Sequence, residues 1–130
     1  MIQLASPNVL ATGAVDRTVS LWDTREDALT NISLSLSGHA GPVASVAAHP
    51  TSSLLIASAS HDATVRVWDA RSPKDALFAL SMPQDASASA QQSNKLLALD
   101  WDGHSLVAGG EGSRLAVWKT DGSQLGATEA

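Results

Sequence analysis

The chain has 130 residues, of which 44 % are hydrophobic and 16 % charged, with a formal net charge of −5 and no cysteine. This composition fits a globular domain rather than a disordered chain, and it excludes a disulfide scaffold and a thiolate metal site. The acidic balance argues against broad attraction to nucleic-acid phosphate or an anionic membrane, and no apolar run approaches the roughly 18 residues of a membrane helix.

In chain order, Met1–Val9 has neither the basic start nor the long apolar stretch of a secretory signal. The expectation is a soluble intracellular protein. "VLATGA" (Val9–Ala14) and "TVSLWDT" (Thr18–Thr24) read as strands about the turn Val15-Asp16-Arg17, with "NISLSLSG" (Asn31–Gly38) as an outer strand. "PVASVAAHP" (Pro42–Pro50), "LLIASAS" (Leu54–Ser60), "TVRVWDA" (Thr64–Ala70) and "DALFALSMP" (Asp75–Pro83) read as a set of four strands, the middle two turning at His61-Asp62-Ala63. Val65, Val67 and Asp69 alternate with Thr64, Arg66 and Trp68, which is the period-two signal of a strand. "DASASAQQ" (Asp85–Gln92) has no apolar face and reads as a flexible loop. "KLLALDW" (Lys95–Trp101) and the two halves of "LVAGGEGSRLAVWKTDG" (Leu106–Gly122) complete the series. The tail after Trp118, "KTDGSQLGATEA", is too polar and Gly-rich for a good fourth strand.

Three segments repeat: Val9–Arg25, Leu55–Arg71 and Leu106–Gly122, with Trp22, Trp68 and Trp118 at steps of 46 and 50 residues. A propeller blade repeats every 40–45 residues or so, hence these units carry somewhat long loops. The Trp-Asp and Gly-His pairs of "LDWDGHSL" (Leu99–Leu106) do not fit this register. Trp101-Asp102 aligns with Ala48-His49 at the end of an inner strand, and Gly103-His104 falls in the turn after it.

On these residues the chain resembles the WD-repeat family. In that family a buried tetrad links a His before the inner strand, a Ser or Thr on the second strand, an Asp in the turn and a Trp on the third. The resemblance implies His39, Ser58, Asp62 and Trp68 for the middle blade and Thr12, Asp16 and Trp22 for the first; in the last, Ala108 and Gly112 replace the Ser and the Asp. It implies an all-β partial propeller of about three blades of antiparallel strands, an open arc rather than a closed ring. Residues 1–38 would be a blade lacking its inner strand, 39–83 a complete blade, 84–94 a flexible loop, and 95–130 a degenerate last blade lacking its outer strand.

Competing chemistry is weaker. Ser58, His39 and Asp62 have the composition of a hydrolytic triad, but no G-x-S-x-G elbow accompanies them. "GGEGSRL" (Gly109–Leu115) lacks the last glycine of a dinucleotide fingerprint and joins two strands. His39, His49, His61 and His104 show no metal-ligand spacing. No catalytic, cofactor or metal site is expected.

"SLSLSGHAGPVASV", "SASHDATVRVWDARSPKDALFAL" and "KLLALDWDGHSLVAGGEGSRLAVWK" resemble more closely the C-terminal end of the ribosome-biogenesis YTM family, the WD-repeat subunit of the PeBoW complex. That resemblance implies a non-catalytic scaffold for large-subunit assembly and pre-rRNA processing, located in the nucleolus and nucleoplasm. Its partners would be a Bop/Erb-type propeller and a Pescadillo-type protein, with indirect pre-ribosome association and no membrane or direct nucleic-acid binding. The family's N-terminal ubiquitin-like domain, which engages the Midasin/Rea ATPase, has no counterpart in these residues. The chain accordingly reads as a C-terminal fragment, marginally stable or aggregating in isolation because an open arc leaves blade faces and strand edges uncovered.

Propellers usually bind partners at the face where the turn between second and third strands emerges. The corresponding positions are Val15, Arg17, Pro42, Ala44, His61, Lys95, Leu97 and Glu111. An alternative function comes from "WDTR" and "WDAR", which fit the W-D-x-R pattern of cullin–RING substrate receptors. There Asp69, Arg71 and Arg25 would contact the ligase adaptor.

Overall fold

The computed structural model describes residues 2–3, 9–23, 34–50, 55–69, 76–81, 95–112, 115–119 and 127–129. They form twelve strands and no helix: β1 (Ile2–Gln3), β2 (Val9–Gly13), β3 (Thr18–Asp23), β4 (Leu34–Ser37), β5 (Val43–Ala48), β6 (Leu55–Ser60), β7 (Thr64–Asp69), β8 (Phe78–Ser81), β9 (Leu96–Trp101), β10 (Ser105–Gly110), β11 (Leu115–Lys119) and β12 (Ala127–Glu129). Consecutive strands pair antiparallel in three four-stranded sheets, β1–β4, β5–β8 and β9–β12. The first sheet packs on the second through β2 and β5, and the second on the third through β5, β6 and β9.

Period-two alternation decides which residue enters which layer, because successive side chains of a strand point to opposite faces. On β6 and β7, Ile56 and Trp68 enter the layer shared with Ala11, Val19, Leu21 and Leu36 of the first sheet. Ala57, Ala59, Val65 and Val67 enter the opposite layer, where they meet Leu96, Trp101, Leu106 and Trp118 of the third sheet. Each layer is thus centred on a fully buried indole, Trp68 in one and Trp118 in the other.

Two expectations require correction. The first sheet does have an inner strand: Ile2 pairs with Ala11 and Gln3 with Leu10. The last sheet does have an outer strand: Ala127, Thr128 and Glu129 pair with Trp118, Val117 and Ala116. The polarity of the tail misled because an outer strand is held chiefly by backbone bonds to one neighbour. The outer strands β4 and β8 also keep Ser35, Ser37, Ala79 and Ser81 exposed. The loop expected at 84–94 lies outside the described residues.

The hairpin turns set the ends of the sheets. Arg17 and Ala63 occupy the same turn position in the first and second sheets, with φ of 72° and 69°. Their N–H groups donate to Ala14 and Ser60 carbonyls. Asp102 organises the β9–β10 turn by accepting the N–H groups of His104 and Ser105 on Oδ1, at 2.8 and 2.7 Å. Gly103 there takes a φ of 97°. Trp101-Asp102 and Gly103-His104 are therefore a strand end and its turn, as the register requires, and the Trp101 ring packs edge-on against His49 at 4.9 Å.

Candidate partner-binding rim and its polar scaffold

In the second sheet a chain of hydrogen bonds runs from the third strand to the turn. Trp68 Nε1 donates to Ser58 Oγ at 2.8 Å, and Ser58 Oγ lies 2.7 Å from His39 Nε2. His39 Nδ1 lies 3.1 Å from Asp62 Oδ2. A carboxylate only accepts, so Nδ1 carries the imidazole proton and Nε2 receives the serine proton. Every polar side-chain atom of Trp68, Ser58, His39 and Asp62 then has a partner, which a buried site demands.

Asp62 is tied further. Its Oδ2 also accepts the Ala40 N–H at 2.9 Å, and its Oδ1 accepts the Thr64 N–H at 2.9 Å and the Thr64 hydroxyl. Burial works against the charged carboxylate. The hydrogen bonds from the Thr64 hydroxyl, Ala40, His39 and the Thr64 N–H outweigh it and bring its pKa to about 2. For His39, burial is the largest influence and lowers the pKa below 6.5, against the opposing pull of Asp62. The ring is consequently neutral at neutral pH.

The first sheet holds part of the same arrangement: Trp22 Nε1 donates to Thr12 Oγ1 at 2.9 Å. Asp16 is exposed and accepts the Thr18 hydroxyl at 2.6 Å and its N–H at 3.1 Å, which lowers its pKa. In the third sheet Ala108 sits opposite Ala116 and supplies no hydroxyl. Thr18 and Thr64 are the functional positions that the four-residue pattern missed. Their signal is the shared spacing Asp16-x-Thr18 and Asp62-x-Thr64, where an Asp accepts bonds from two residues on.

Ser58 is 0 % exposed. Its oxygen is committed to Trp68 and His39, so it offers no approach to a substrate and the triad composition does not make a nucleophile. Among the described residues no three metal-ligating side chains come together.

The scaffold fixes a rim at one end of the arc. The Ala14 carbonyl accepts the Val43 N–H, joining the β2–β3 turn to the start of β5. The Pro42 carbonyl accepts the His61 N–H, and the Lys95 carbonyl accepts the Glu111 N–H, each at 3.0 Å. Val15, Arg17, Pro42, His61, Lys95 and Glu111 are thereby placed at the same end of their sheets. Ala44 and Leu97 reach it by a different device. The β5–β6 register skips Ala44, and the β9–β10 register skips Leu97. Such bulges re-aim a side chain, and both residues are exposed. Gly110 permits the second bulge, since a Cβ there would lie 1.8 Å from the Lys95 carbonyl oxygen. The most exposed apolar side chains on the rim are Val15, at 82 %, and Leu97, at 47 %.

The adaptor contact fares less well. Asp69 is only 8 % exposed at the end of β7, which leaves an adaptor little carboxylate to meet. Arg25 and Arg71 lie outside the described residues.

Comparison with known proteins agrees with the fold. The family model described as "WD domain, G-beta repeat" matches residues 4–23 and 31–69. The ribosome biogenesis protein YTM1 of Meyerozyma guilliermondii is 33 % identical over 120 residues, covering 92 % of this chain and 24 % of the relative. The ribosome biogenesis protein WDR12 homolog of Chlamydomonas reinhardtii is 39 % identical over 126 residues, 90 % of this chain and 26 % of the relative. The homolog of the same name from Ixodes scapularis is 34 % identical over 111 residues, 85 % of this chain and 24 % of the relative. The chain spans about a quarter of the length of these relatives.

Proposed function

Because the chain carries WD repeats and resembles ribosome biogenesis proteins along most of its length, we propose that it is a non-catalytic scaffold for large ribosomal subunit assembly, acting in the nucleolus and nucleoplasm. It docks a Bop/Erb-type propeller through the rim, and joins a Pescadillo-type protein and the pre-ribosome through that partner. No contact with membrane or nucleic acid is part of this reading. The observation that supports it is the placement of exposed Val15 and Leu97 among Arg17, Lys95 and Glu111 at one end of the arc. Apolar side chains framed by charges are the usual composition of a protein–protein contact.

The test is co-purification of the tagged chain with a Bop/Erb-type propeller, together with imaging in cells. The expected result is co-purification and nucleolar accumulation, both lost with Val15→Asp plus Leu97→Asp. Retention of the partner by that double variant sinks the rim assignment.

A further inference from the structure

The second sheet has the first sheet on one face and the third on the other, and β8 ends it. Among the described residues no strand pairs with the far side of β8, which leaves a row of outward N–H and C=O groups that only an extended chain can pair. Natural edge strands are commonly guarded by a charge, a proline or a bulge. Phe78–Ser81 has none of these: its residues are Phe, Ala, Leu and Ser, and they pair with β7 without a register shift. Two large apolar side chains stand exposed together there, Phe78 at 48 % and Leu77 at 45 %. The outer strand β4 instead exposes Ser35 and Ser37.

Pairing sorts this edge into two faces, because residues directly opposite one another share a face. Phe78 and Leu80 lie opposite Val67 and Val65, on the side of the third sheet. Ala79 and Ser81 lie opposite Arg66 and Thr64, on the other side. Arg66 is the one charged side chain on that face of β7 and β8. Among the described residues no carboxylate lies within ion-pair distance of it, and its Nε is buried without a partner. An unpaired cation behind the small Ala79 side chain favours a negative neighbour.

We propose that β8 accepts a fifth strand from a partner protein: a short extended segment with apolar residues at alternate positions and a carboxylate between them. The apolar pair meets Phe78 and Leu80, and the carboxylate shares the Ala79 face with Arg66. Backbone pairing supplies the affinity and the alternate side chains the specificity. The size of the edge selects this occupant. Four paired residues span roughly 14 Å, which suits a linear segment and falls well short of the roughly 800 Å² per partner buried between two folded copies. The edge is separate from the rim, and its use does not depend on the Bop/Erb contact.

The experiment measures fluorescence polarisation of a labelled, end-blocked pentapeptide, Thr-Val-Glu-Val-Thr, titrated with the full chain, beside a second peptide with Lys in place of Glu. The Glu peptide is expected to bind saturably with a Kd below about 1 mM, and the Lys peptide more weakly. General attraction would give the reverse order, because the chain carries a net charge of −5. Phe78→Ser should weaken both peptides. Arg66→Gln should erase the difference between them, and Arg66→Lys, which keeps the charge, should preserve it. Amide hydrogen exchange gives a second readout: the Glu peptide should slow exchange within Phe78–Ser81 and leave Glu111 on the rim unchanged. Four results each overturn the proposal: no saturable binding of either peptide, equal binding of the two by the native chain, unchanged exchange in β8, or protection of β8 that rises with chain concentration alone, which would assign the edge to a second copy.

Discussion

The Ser58 hydroxyl stands between the Trp68 indole, 2.8 Å away, and the His39 imidazole, 2.7 Å away, with no exposure to solvent. It links the indole of the third strand of the second sheet, side chain to side chain, to His39 in the segment that precedes β5, and the Thr64 hydroxyl at the start of that strand makes a longer second contact with His39 at 3.3 Å.

Ser58→Ala should therefore cost about 1–3 kcal/mol, since it strands a buried indole N–H and an imidazole nitrogen together. Chemical denaturation followed by tryptophan fluorescence measures it. Ser45→Ala, on partly exposed β5, serves as control and should stay within about 0.5 kcal/mol.

Acid should weaken the second sheet in two stages. His39 has a folded pKa below the unfolded 6.5, so the unfolded state binds its proton first, and stability falls as pH drops below 6.5. Asp62 has a folded pKa of about 2 against 3.8 unfolded. Its contribution is complete above 3.8 and is lost as pH falls from there through about 2. Denaturation midpoints between pH 8 and pH 5 check the first stage. His39→Gln should remove that slope and leave the second stage in place.

Ala63 sits at a φ of 69°, where an L-side chain costs about 1 kcal/mol or more. Ala63→Gly should stabilise the chain by roughly 0.5–1 kcal/mol, the relief exceeding glycine's added unfolded-state entropy. Arg17→Gly should act alike in the first sheet. The two increments should add, since they belong to separate turns. Thermal melts of the single and double variants decide it.

Gly110→Ala should destabilise by about 1–3 kcal/mol or more, the range of forced overpacking, because its Cβ would meet the Lys95 carbonyl at 1.8 Å. Backbone, not a flexible side chain, stands in the way, so the bulge at Leu97 would be lost as well. Amide hydrogen exchange at Glu111, whose N–H bonds Lys95, reports that local opening.

The strands flanking the hairpins were legible from period-two alternation, as in Val65 and Val67 against Thr64 and Arg66, and from the turn residues between them, although β6 and β7 are buried on both faces. So were the polar chain in the second sheet and the true register of Trp101-Asp102. The strands at Ile2–Gln3 and Ala127–Glu129 were not, because pairing there is a backbone property that side-chain polarity does not report. The bulges at Ala44 and Leu97 were invisible for a related reason. A skipped residue shows only in the partner strand's register. Thr18 and Thr64 were readable in the Asp-x-Thr spacing, but a tetrad that names four residues draws attention from the fifth.

The most direct measurement is the affinity of the chain for a purified Bop/Erb-type propeller, by titration calorimetry, with and without Leu97→Asp. Leu97 is exposed, so the substitution leaves the layers of the arc intact. If the rim is the docking surface, Kd should rise at least ten-fold, about 1.4 kcal/mol. An unchanged Kd, or no binding by a chain that melts cooperatively, would contradict the assignment.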